Sequence, residues 1–457
     1  MKLGKVPLHD IRRILEEAGV NFNLDANPLE KDTVISTNPA IGVPLDTLGF
    51  FAFHYSASNV AVAFAKPLYS TLAIIAPPSL SDQEIEAVIQ AFSRECNKYD
   101  VKLKAGHTAR YEGVEYPLVV STVIGRMIRE RLRPVEGDAI YLVGLLGAES
   151  SWLLGHNVPL EEMTPLEKAL KVQGLPSVKL MHDVSEGGIL GALIEISNYY
   201  RVLIKVNFES IATYPGVPTD YDPLTIPTYG VLLVITSSPM EFEESCRKES
   251  LPCTRLGIIE GSGVGVEYRF RLYVEAPQSP LVELYNPYTP GSQELAQVLL
   301  AAKEFLRIKG AEKLVPEVGT NIAFAKTNPL TPSDVAAIDG RIVRTASGIR
   351  ICGMPAYGAS KHLARVILEA IKNNPSLRAA INLRPEQTLI DKLRREGVEV
   401  VELKETFSEC PVSHALAKGA RGRAFYYHSI PDLEPSLVLL GENPTSLVEL
   451  IKRALEE

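Results

Sequence analysis

The chain has 457 residues, of which 46% are hydrophobic and 22% charged, a composition typical of a globular protein with roughly three domains. Its formal net charge of −8 argues against the basic surface with which proteins usually bind nucleic acid. No apolar run reaches the roughly eighteen residues needed to cross a bilayer. The sequence therefore predicts neither a nucleic acid nor a membrane as a partner.

The first residues and the cysteines predict the cellular compartment. The N-terminal Met1-Lys2-Leu3-Gly4-Lys5 lacks the apolar core of a signal peptide. The cysteines are odd in number, scattered and without a Cys-x-x-Cys pair, which favours a reducing compartment and argues against a structural zinc site. They are Cys96, Cys246, Cys253, Cys352 and Cys410. We therefore expect a cytoplasmic protein.

Helical and strand patterns alternate along the first part of the chain. Helices are predicted at 6–19, 56–66 and 81–99, and strands at 33–37, 48–55, 68–76, 116–125 and 139–144. The helix at 81–99 begins with Ser81 and has Glu84 three residues later, which is the pattern of a capping box. The alternation predicts an α/β or α+β fold.

A strand ending in His182-Asp183 is followed by Gly187-Gly188 and the start of a helix. Glycines allow a phosphate group to approach the backbone, and an aspartate at a strand end can hold Mg²⁺. The alternative interpretation is that the two glycines only allow close packing at a strand–helix junction.

A segment rich in proline, glycine and polar residues, 276–295, predicts a linker to a further domain at 296–457. Within that domain, two β-branched runs flank Ser347-Gly348 and predict a hairpin. Ser360 then stands at the N-cap of a helix with an apolar stripe of Leu363, Val366, Ile367, Ala370 and Ile371.

Several cationic side chains surround the corner between this hairpin and this helix. Arg341 and Arg344 are predicted on the first strand, and His362 and Arg365 on one face of the helix. A helix start carries free N–H groups and positive dipole character, which suit a phosphate. The corner is therefore a candidate site for a phosphorylated ligand. The alternative is an ordinary solvated helix face beside a surface arginine.

Four segments of the first half, 44–49, 105–108, 121–125 and 181–188, resemble those of one superfamily. It contains aminoimidazole ribonucleotide synthase, selenophosphate synthetase, thiamine-monophosphate kinase and the hydrogenase maturation factor HypE. The resemblance implies a PurM-like half of two α/β domains, 1–150 and 151–275, which binds ATP with Mg²⁺ and forms a homodimer. It implies nucleotide contacts at Gly106, His107, Thr108, Gly187 and Gly188, and metal ligands at Asp46 and Asp183.

The acidic positions of this half depart from the superfamily pattern. The early Gly-Asp-Asp stretch is absent, and only Lys31-Asp32-Thr33 stands nearby. Asn38 and Asn59 stand where acidic residues are usual, so less negative charge is available to hold Mg²⁺. Two alternatives remain: a catalytically reduced half with a structural, dimerising or ligand-binding role, and an ATP-dependent enzyme that uses Asp46, His107 and Asp183.

An ordered series of segments in the last domain, 315–325, 333–344, 357–365 and 378–384, resembles the ThiN family of thiamine-phosphate synthases. The resemblance implies coupling of hydroxymethylpyrimidine diphosphate to hydroxyethylthiazole phosphate, with release of pyrophosphate and with Mg²⁺ accompanying the diphosphate. It implies that Arg341 and His362 are catalytic. Supporting candidates for phosphate and pyrimidine binding are Asn321, Ser360, Arg365, Asn382 and Arg384. Asn382 could instead cap a strand end, and Arg384 could be a surface charge.

The predicted fold is therefore multidomain α/β and α+β, with a PurM-like two-domain N-terminal half and an α/β ThiN-like C-terminal domain. Near the end of the chain, Asp432-Leu433-Glu434-Pro435 lacks the lysine usual in the ThiN family. This departure leaves open a sensor that binds thiamine phosphate without making it. A third alternative is an ATP-dependent kinase in the N-terminal half, whose Mg-ATP binding Asp183→Asn would abolish.

Overall fold

The computed structural model describes residues 14–20, 23–114, 116–185, 187–217, 219, 221–277, 279, 281, 284, 292–346, 348–404, 410–430 and 433–456. The chain divides into two compact units, Met1–Thr289 and Pro290–Glu457. The predicted helix at 6–19 and the predicted linker at 276–295 lie largely outside the described residues. No helix in the described part of the chain is both long and apolar enough to span a membrane.

The first sheet has strand order β1-β2-β5-β3-β4, in which β3 and β4 are parallel and the other pairs antiparallel. Its strands are β1 (Asn27–Glu30), β2 (Thr33–Ala40), β3 (Ala65–Ala76), β4 (Lys102–Arg110) and β5 (Leu118–Met127). Two helices pack with it, α1 (Leu45–Val62) and α2 (Asp82–Lys98). The predicted capping box is confirmed, because Ser81 and Glu84 each bond the other's backbone N–H.

The predicted strand at 48–55 is wrong, because these residues belong to α1. The helix is buried on nearly all sides, so its apolar residues form a continuous run without helical periodicity. Gly49 allows the close approach of α2, since a Cβ there would lie 2.3 Å from the carbonyl oxygen of Val88. Tertiary packing therefore decided the structure of a segment whose pattern was ambiguous.

The second sheet has strand order β12-β11-β8-β10-β6-β9-β7. Its strands are β6 (Ala139–Val143), β7 (Val178–Asp183), β8 (Val202–Val206), β9 (Leu232–Thr236), β10 (Cys253–Ser262), β11 (Gly265–Tyr268) and β12 (Arg271–Tyr273). The accompanying helices are α3 (Ala148–Leu153), α4 (Leu166–Val172), α5 (Gly188–Tyr200) and α6 (Pro239–Lys248).

Two features of this region were not predicted from the sequence. Strand β6 pairs with β9 and β10, so the second domain begins before this strand and the predicted boundary at residue 150 is too late. Cys246 and Cys253 form a disulfide between α6 and the start of β10, a pairing that the scattered cysteines of the sequence did not predict. Within the described chain, Cys96, Cys352 and Cys410 lie outside this disulfide.

The second unit is built on a sheet with strand order β17-β14-β13-β18-β21-β20-β19 and a separate β15–β16 hairpin. The strands are β13 (Ile322–Ala325), β14 (Val335–Ile338), β15 (Ile342–Thr345), β16 (Gly348–Ile351), β17 (Pro355–Tyr357), β18 (Ala379–Leu383), β19 (Val400–Glu402), β20 (Ala424–Tyr427) and β21 (Ser436–Gly441). The helices are α7 (Gln293–Arg307), α8 (Lys361–Asn373), α9 (Gln387–Arg395), α10 (Pro411–Ala417) and α11 (Pro444–Glu456).

Two apolar cores on opposite faces of this sheet make the unit a three-layer α/β/α sandwich. One core contains residues of α7, α9 and α11, and the other contains residues of α8 and α10. The predicted hairpin is confirmed, with Thr345 opposite Gly348, while Ser347 lies outside the described residues. The predicted N-cap Ser360 is also confirmed.

Candidate functional site

A cavity of about 470 Å³ opens in the second unit where α8 begins. Its lining comes from the residue before β15, from the start of α8 with the turn before it, and from the residue before α10. These residues are Arg341, Gly358, Ala359, Ser360, Lys361, His362, Arg365 and Cys410. Three of them are permanently cationic, and among the described lining residues none is a carboxylate. The charges of this lining therefore suit an anion.

The start of α8 is fixed by its cap and by its apolar face. Ser360 Oγ accepts a hydrogen bond from the Leu363 backbone N–H at 3.4 Å. Gly358, at φ +77°, allows the chain to turn from β17 into the helix. The apolar face of α8 is buried in the domain core, which turns His362 and Arg365 toward the cavity. Ser360 thus lines the cavity and also caps the helix.

Arg341 lies just before β15, whereas the sequence pattern predicted it on the strand itself. Its backbone has φ +67°, a left-handed conformation that is uncommon for a residue other than glycine. The next residue, Ile342, exchanges backbone hydrogen bonds with Thr320 at 2.8 and 2.9 Å. Arg341 Nη1 donates to the carbonyl oxygen of Val318. These contacts fix both the backbone and the guanidinium group beside the cavity.

His362 is a half-buried imidazole between two guanidinium groups. Burial lowers its pKa, and the charges of Arg341 and Arg365 lower the pKa further. The ring is therefore neutral at neutral pH, with one nitrogen able to donate and the other able to accept a hydrogen bond. An anion in the cavity would oppose this shift by favouring the protonated ring.

Three predicted binding residues lie outside this lining. Asn321 is buried and bonds the backbone of Ile322 and Ile338, so its amide joins β13 to β14. Asn382 bonds the backbone of Gly319 and Asn321. Arg384 is exposed and pairs with Glu386 at 3.2 Å. The contacts of Asn382 are those of a strand-end cap. Those of Arg384 are those of a surface charge. Both were the alternative interpretations from the sequence.

Lys361 and Cys410 line the cavity but were missed by the sequence analysis. Lys361 is the first residue of α8, and its position beside His362 could have suggested it. Cys410 comes from a distant segment that carries no local signal for this site, and burial raises the pKa of its thiol. Only the packing of α10 against α8 brings it there.

In the first unit, a buried cluster joins Asp25, His182 and Asp183, each with a potential ligand atom within 4.8 Å of the others. His182 Nδ1 lies 2.6 Å from Asp25 Oδ1, and His182 Nε2 lies 3.1 Å from Glu195 Oε2. Arg131 Nη2 donates to Asp25 Oδ2 at 2.5 Å. The sequence predicts Asp183 as a ligand but gives no signal for Asp25, because the early Gly-Asp-Asp pattern is absent around it.

Opposite charges in this cluster stabilise one another. Burial by itself would lower the pKa of His182, but Asp25 and Glu195 outweigh it and raise the pKa to about 10. Burial would raise the pKa of Asp25, yet His182 and Arg131 hold it well below its usual range. An imidazolium offers no lone pair to a metal, and the Asp25 carboxylate already serves two cations. The pairing of His182 with Asp25 therefore argues against Mg²⁺ coordination by these two residues.

The predicted glycine pair has a packing role in the structure. Gly188 has φ +63°, and a Cβ there would lie 2.7 Å from the carbonyl oxygen of Leu224 and 2.8 Å from that of Ile226. The N–H of Leu190, in the first turn of α5, also donates to Leu224 O at 2.8 Å. The chain's own carbonyl groups thus lie against Gly188, on the side where a Cβ would point.

The structure does not gather the remaining predicted nucleotide and metal residues around Asp183. Gly106, His107 and Thr108 are exposed on β4, the edge strand of the first sheet. Asp46 is exposed in the first turn of α1 and is not a member of the Asp25 cluster.

Comparison with protein families divides the chain into three segments. Residues 25–127 match the AIR synthase related protein N-terminal domain, and 135–269 match its C-terminal domain. Residues 294–453 match thiamine-phosphate synthase ThiN. The start of the second match at residue 135 agrees with a domain boundary before β6.

Two archaeal relatives match the last domain. The bifunctional thiamine biosynthesis protein ThiDN of Methanocaldococcus jannaschii is 33% identical over 150 residues, which cover 30% of this chain and 35% of that protein. Thiamine-phosphate synthase ThiN of Methanothermobacter thermautotrophicus is 29% identical over 167 residues, which cover 32% of this chain and 83% of that protein. The match thus spans only about a third of the first relative.

The first half has the fold of a solved hydrogenase maturation protein. A chain of the HypE–HypF complex superposes with a TM-score of 0.51 and 18% sequence identity, covering 58% of this chain and 99% of that chain. At this identity the likeness establishes the fold alone. It confirms the predicted PurM-like architecture of the first half.

Proposed function

We propose that this chain, which joins an AIR synthase-related PurM-like half to a C-terminal ThiN domain, is a thiamine-phosphate synthase. The observation that carries the proposal is the shared cavity of Arg341 and His362, with Lys361 and Arg365 beside them at the start of α8. The substrates are hydroxymethylpyrimidine diphosphate and hydroxyethylthiazole phosphate. Both substrates are anions, which suits the cationic lining of this cavity.

The reaction makes one bond and breaks one bond. The thiazole ring nitrogen donates its lone pair to the methylene carbon of the pyrimidine substrate, and the bond from that carbon to the diphosphate oxygen breaks. Pyrophosphate leaves with the electron pair and gains negative charge as it departs. Groups that stabilise this developing charge lower the barrier, and preorganised guanidinium groups do so effectively.

We assign Arg341 to the departing pyrophosphate, because its guanidinium group is already held at the cavity by Val318. His362 donates a hydrogen bond to a phosphate oxygen through its N–H, or takes up a proton once an anion is bound. Arg365, Lys361 and the first turn of α8 provide further positive potential for the second phosphate group.

Mg²⁺ is implied by the diphosphate substrate, but the cavity does not fit a metal held by the protein. Magnesium prefers oxygen ligands such as carboxylates, and the described lining consists of cationic, neutral and small residues. We propose that Mg²⁺ accompanies the diphosphate as part of the substrate.

The test is thiamine phosphate formation by the full-length protein from both precursors and Mg²⁺. Arg341→Ala and His362→Ala should each lower kcat/KM by about 10²-fold or more, the usual effect of removing charge stabilisation or proton transfer. Arg395→Ala, which removes an exposed arginine of α9 outside the cavity lining, is the matched control and should keep the full rate.

Binding of thiamine phosphate without any turnover would instead favour the sensor. Full activity of both cavity variants would reject this site.

An ATP-dependent kinase in the N-terminal half is the second candidate, and the metal-like spacing of Asp25, His182 and Asp183 is the observation in its favour. The occupied Asp25 carboxylate and the covered Gly188 count against it. We therefore propose that this half is a catalytically reduced relative that supports a cytoplasmic homodimer.

A further inference from the structure

We infer that Glu434 is a positioning residue for Arg341, acting through the turn 316–319. The inference rests on the proposed synthase reaction and adds a residue to it. Glu434 lies outside the cavity lining, so its effect would pass through the turn and the arginine. It stands in the segment where the sequence lacks the lysine usual in the ThiN family.

The turn 316–319 lies against the side chain of Arg341. Gly319 N–H donates to Pro316 O at 3.0 Å, and Gly319 has φ +86°. A Cβ at Gly319 would lie 3.3 Å from Arg341 Cβ and 3.0 Å from the Ile342 carbonyl oxygen. Glycine therefore lets the stem of Arg341 lie against the turn, while the carbonyl group of Val318 accepts from its guanidinium group.

Glu434 holds the turn with both oxygens of its carboxylate. Oε1 accepts from the backbone N–H of Glu317 at 2.6 Å, and Oε2 accepts from that of Val318 at 3.1 Å. Hydrogen bonds to an ionised carboxylate are about twice as strong as those between neutral groups. The N–H that donates to Oε2 and the carbonyl group that accepts from Arg341 belong to the same residue, Val318.

A second clamp holds the far end of the turn. Asn382 Nδ2 donates to Gly319 O at 3.0 Å, and Asn382 Oδ1 accepts from Asn321 N–H at 2.7 Å. The Val318 side chain is 55% exposed, so apolar packing contributes little to the order of the turn. Polar clamps from Glu434 and Asn382 thus set the position of the Val318 carbonyl group.

The consequence concerns catalytic geometry more than stability. A misplacement of about 1 Å in a catalytic group can cost about 10²-fold in rate. Arginine has a long side chain with many rotamers, so a fixed acceptor for one of its N–H groups limits the orientations of the others. Loss of Glu434 would loosen this acceptor while leaving the sandwich core intact.

A double-mutant cycle on the full-length protein tests the inference. Glu434→Ala should lower kcat by about 10- to 10²-fold with a small change in KM and in thermal midpoint. In the Arg341→Ala background, Glu434→Ala should have almost no further effect, because its action passes through the arginine. Glu434→Gln, which keeps one acceptor, should fall between the wild type and Glu434→Ala. Glu442→Ala, at an exposed glutamate of the same domain, is the control.

The outcomes separate this inference from the proposed function. If the wild-type protein makes no thiamine phosphate, both fail. If Arg341→Ala is slow but Glu434→Ala has the wild-type kcat, the inference alone fails. Multiplicative losses in the double variant would also overturn it, because they would show a general structural effect independent of Arg341.

Discussion

Arg341 combines an uncommon backbone conformation with a position at the candidate site. A left-handed φ of +67° in a residue with a side chain costs about 1 kcal/mol or more. The Thr320–Ile342 backbone pair and the Val318 acceptor hold it in this state. A conformation maintained against its intrinsic preference is typical of functional positions, and here it directs a guanidinium group to an anion cavity.

The lowered pKa of His362 predicts proton-coupled anion binding. In the free protein burial and the charges of Arg341 and Arg365 hold this pKa below its ordinary value, which favours the neutral ring at pH 7. A bound pyrophosphate favours the imidazolium, so binding should take up a proton and tighten as pH falls from 7 toward the pKa of the free protein.

Calorimetry with inorganic pyrophosphate in buffers of different ionisation enthalpy would measure this uptake. His362→Gln removes the imidazole, so any proton uptake that remains comes from the ligand itself. The difference in proton uptake between the two proteins is therefore the contribution of His362. An identical uptake in both would contradict the prediction.

In the free protein, the stability linked to this lowered pKa is present above about pH 6.5 and is lost as pH falls through the pKa of the folded state.

The elements around the C-terminal site form for local reasons that the sequence contains. The β15–β16 hairpin follows from two β-branched runs joined at Gly348, which has φ +126°. Helix α8 follows from the Ser360 cap and a regular apolar stripe. Helix α1 differs, because an element buried on nearly all sides has no polar face to mark its period.

The start of α5 provides a prediction that separates packing from nucleotide binding. Gly188→Ala places a Cβ at a positive φ and against two carbonyl oxygens, so it should destabilise the N-terminal unit by about 2 kcal/mol or more. Thermal or denaturant unfolding of the full-length protein would measure this loss. Gly174→Ala is the control, since no atom lies within 4 Å of a Cβ there.

Titration of the same proteins with Mg-ATP completes the test. A Gly188→Ala protein with unchanged stability and abolished ATP binding would show that the glycine belongs to a nucleotide site, against the packing interpretation.

On the scale of the whole molecule, the outer face of the first sheet predicts self-association. Residues of β5 alternate between buried and half-buried, so one face packs inward and the other does not. A hollow of about 280 Å³ on this outer face is lined by Tyr69, Ser70, Thr71, Lys104, Thr122 and Ile124. The members of the PurM-like superfamily that the first half resembles dimerise through this sheet, so we predict a second copy of the chain as the partner.

Ile124→Glu should therefore convert a dimer to a monomer, because it places a charge in the apolar part of that face. Light scattering after size-exclusion chromatography would measure the mass. Leu272→Glu, at an exposed leucine of the second sheet, is the matched control and should leave the mass unchanged. A wild-type monomer, or an unchanged dimer in Ile124→Glu, would contradict the prediction.

The sequence by itself determined the features that depend on neighbouring residues: the capped start of α8, the hairpin before it, and the order of segments that indicates a ThiN domain behind a PurM-like half. It also placed Arg341 and His362 in one candidate pocket, since both belong to the same short stretch of chain.

Only the tertiary structure decided which distant groups meet. It brought Cys410 to the cavity, joined Asp25 to His182, and gave the amides of Asn321 and Asn382 to the backbone. The physical reason is that a polar side chain takes whatever partner packing puts within hydrogen-bond reach. Sequence spacing limits only the partners that lie close along the chain.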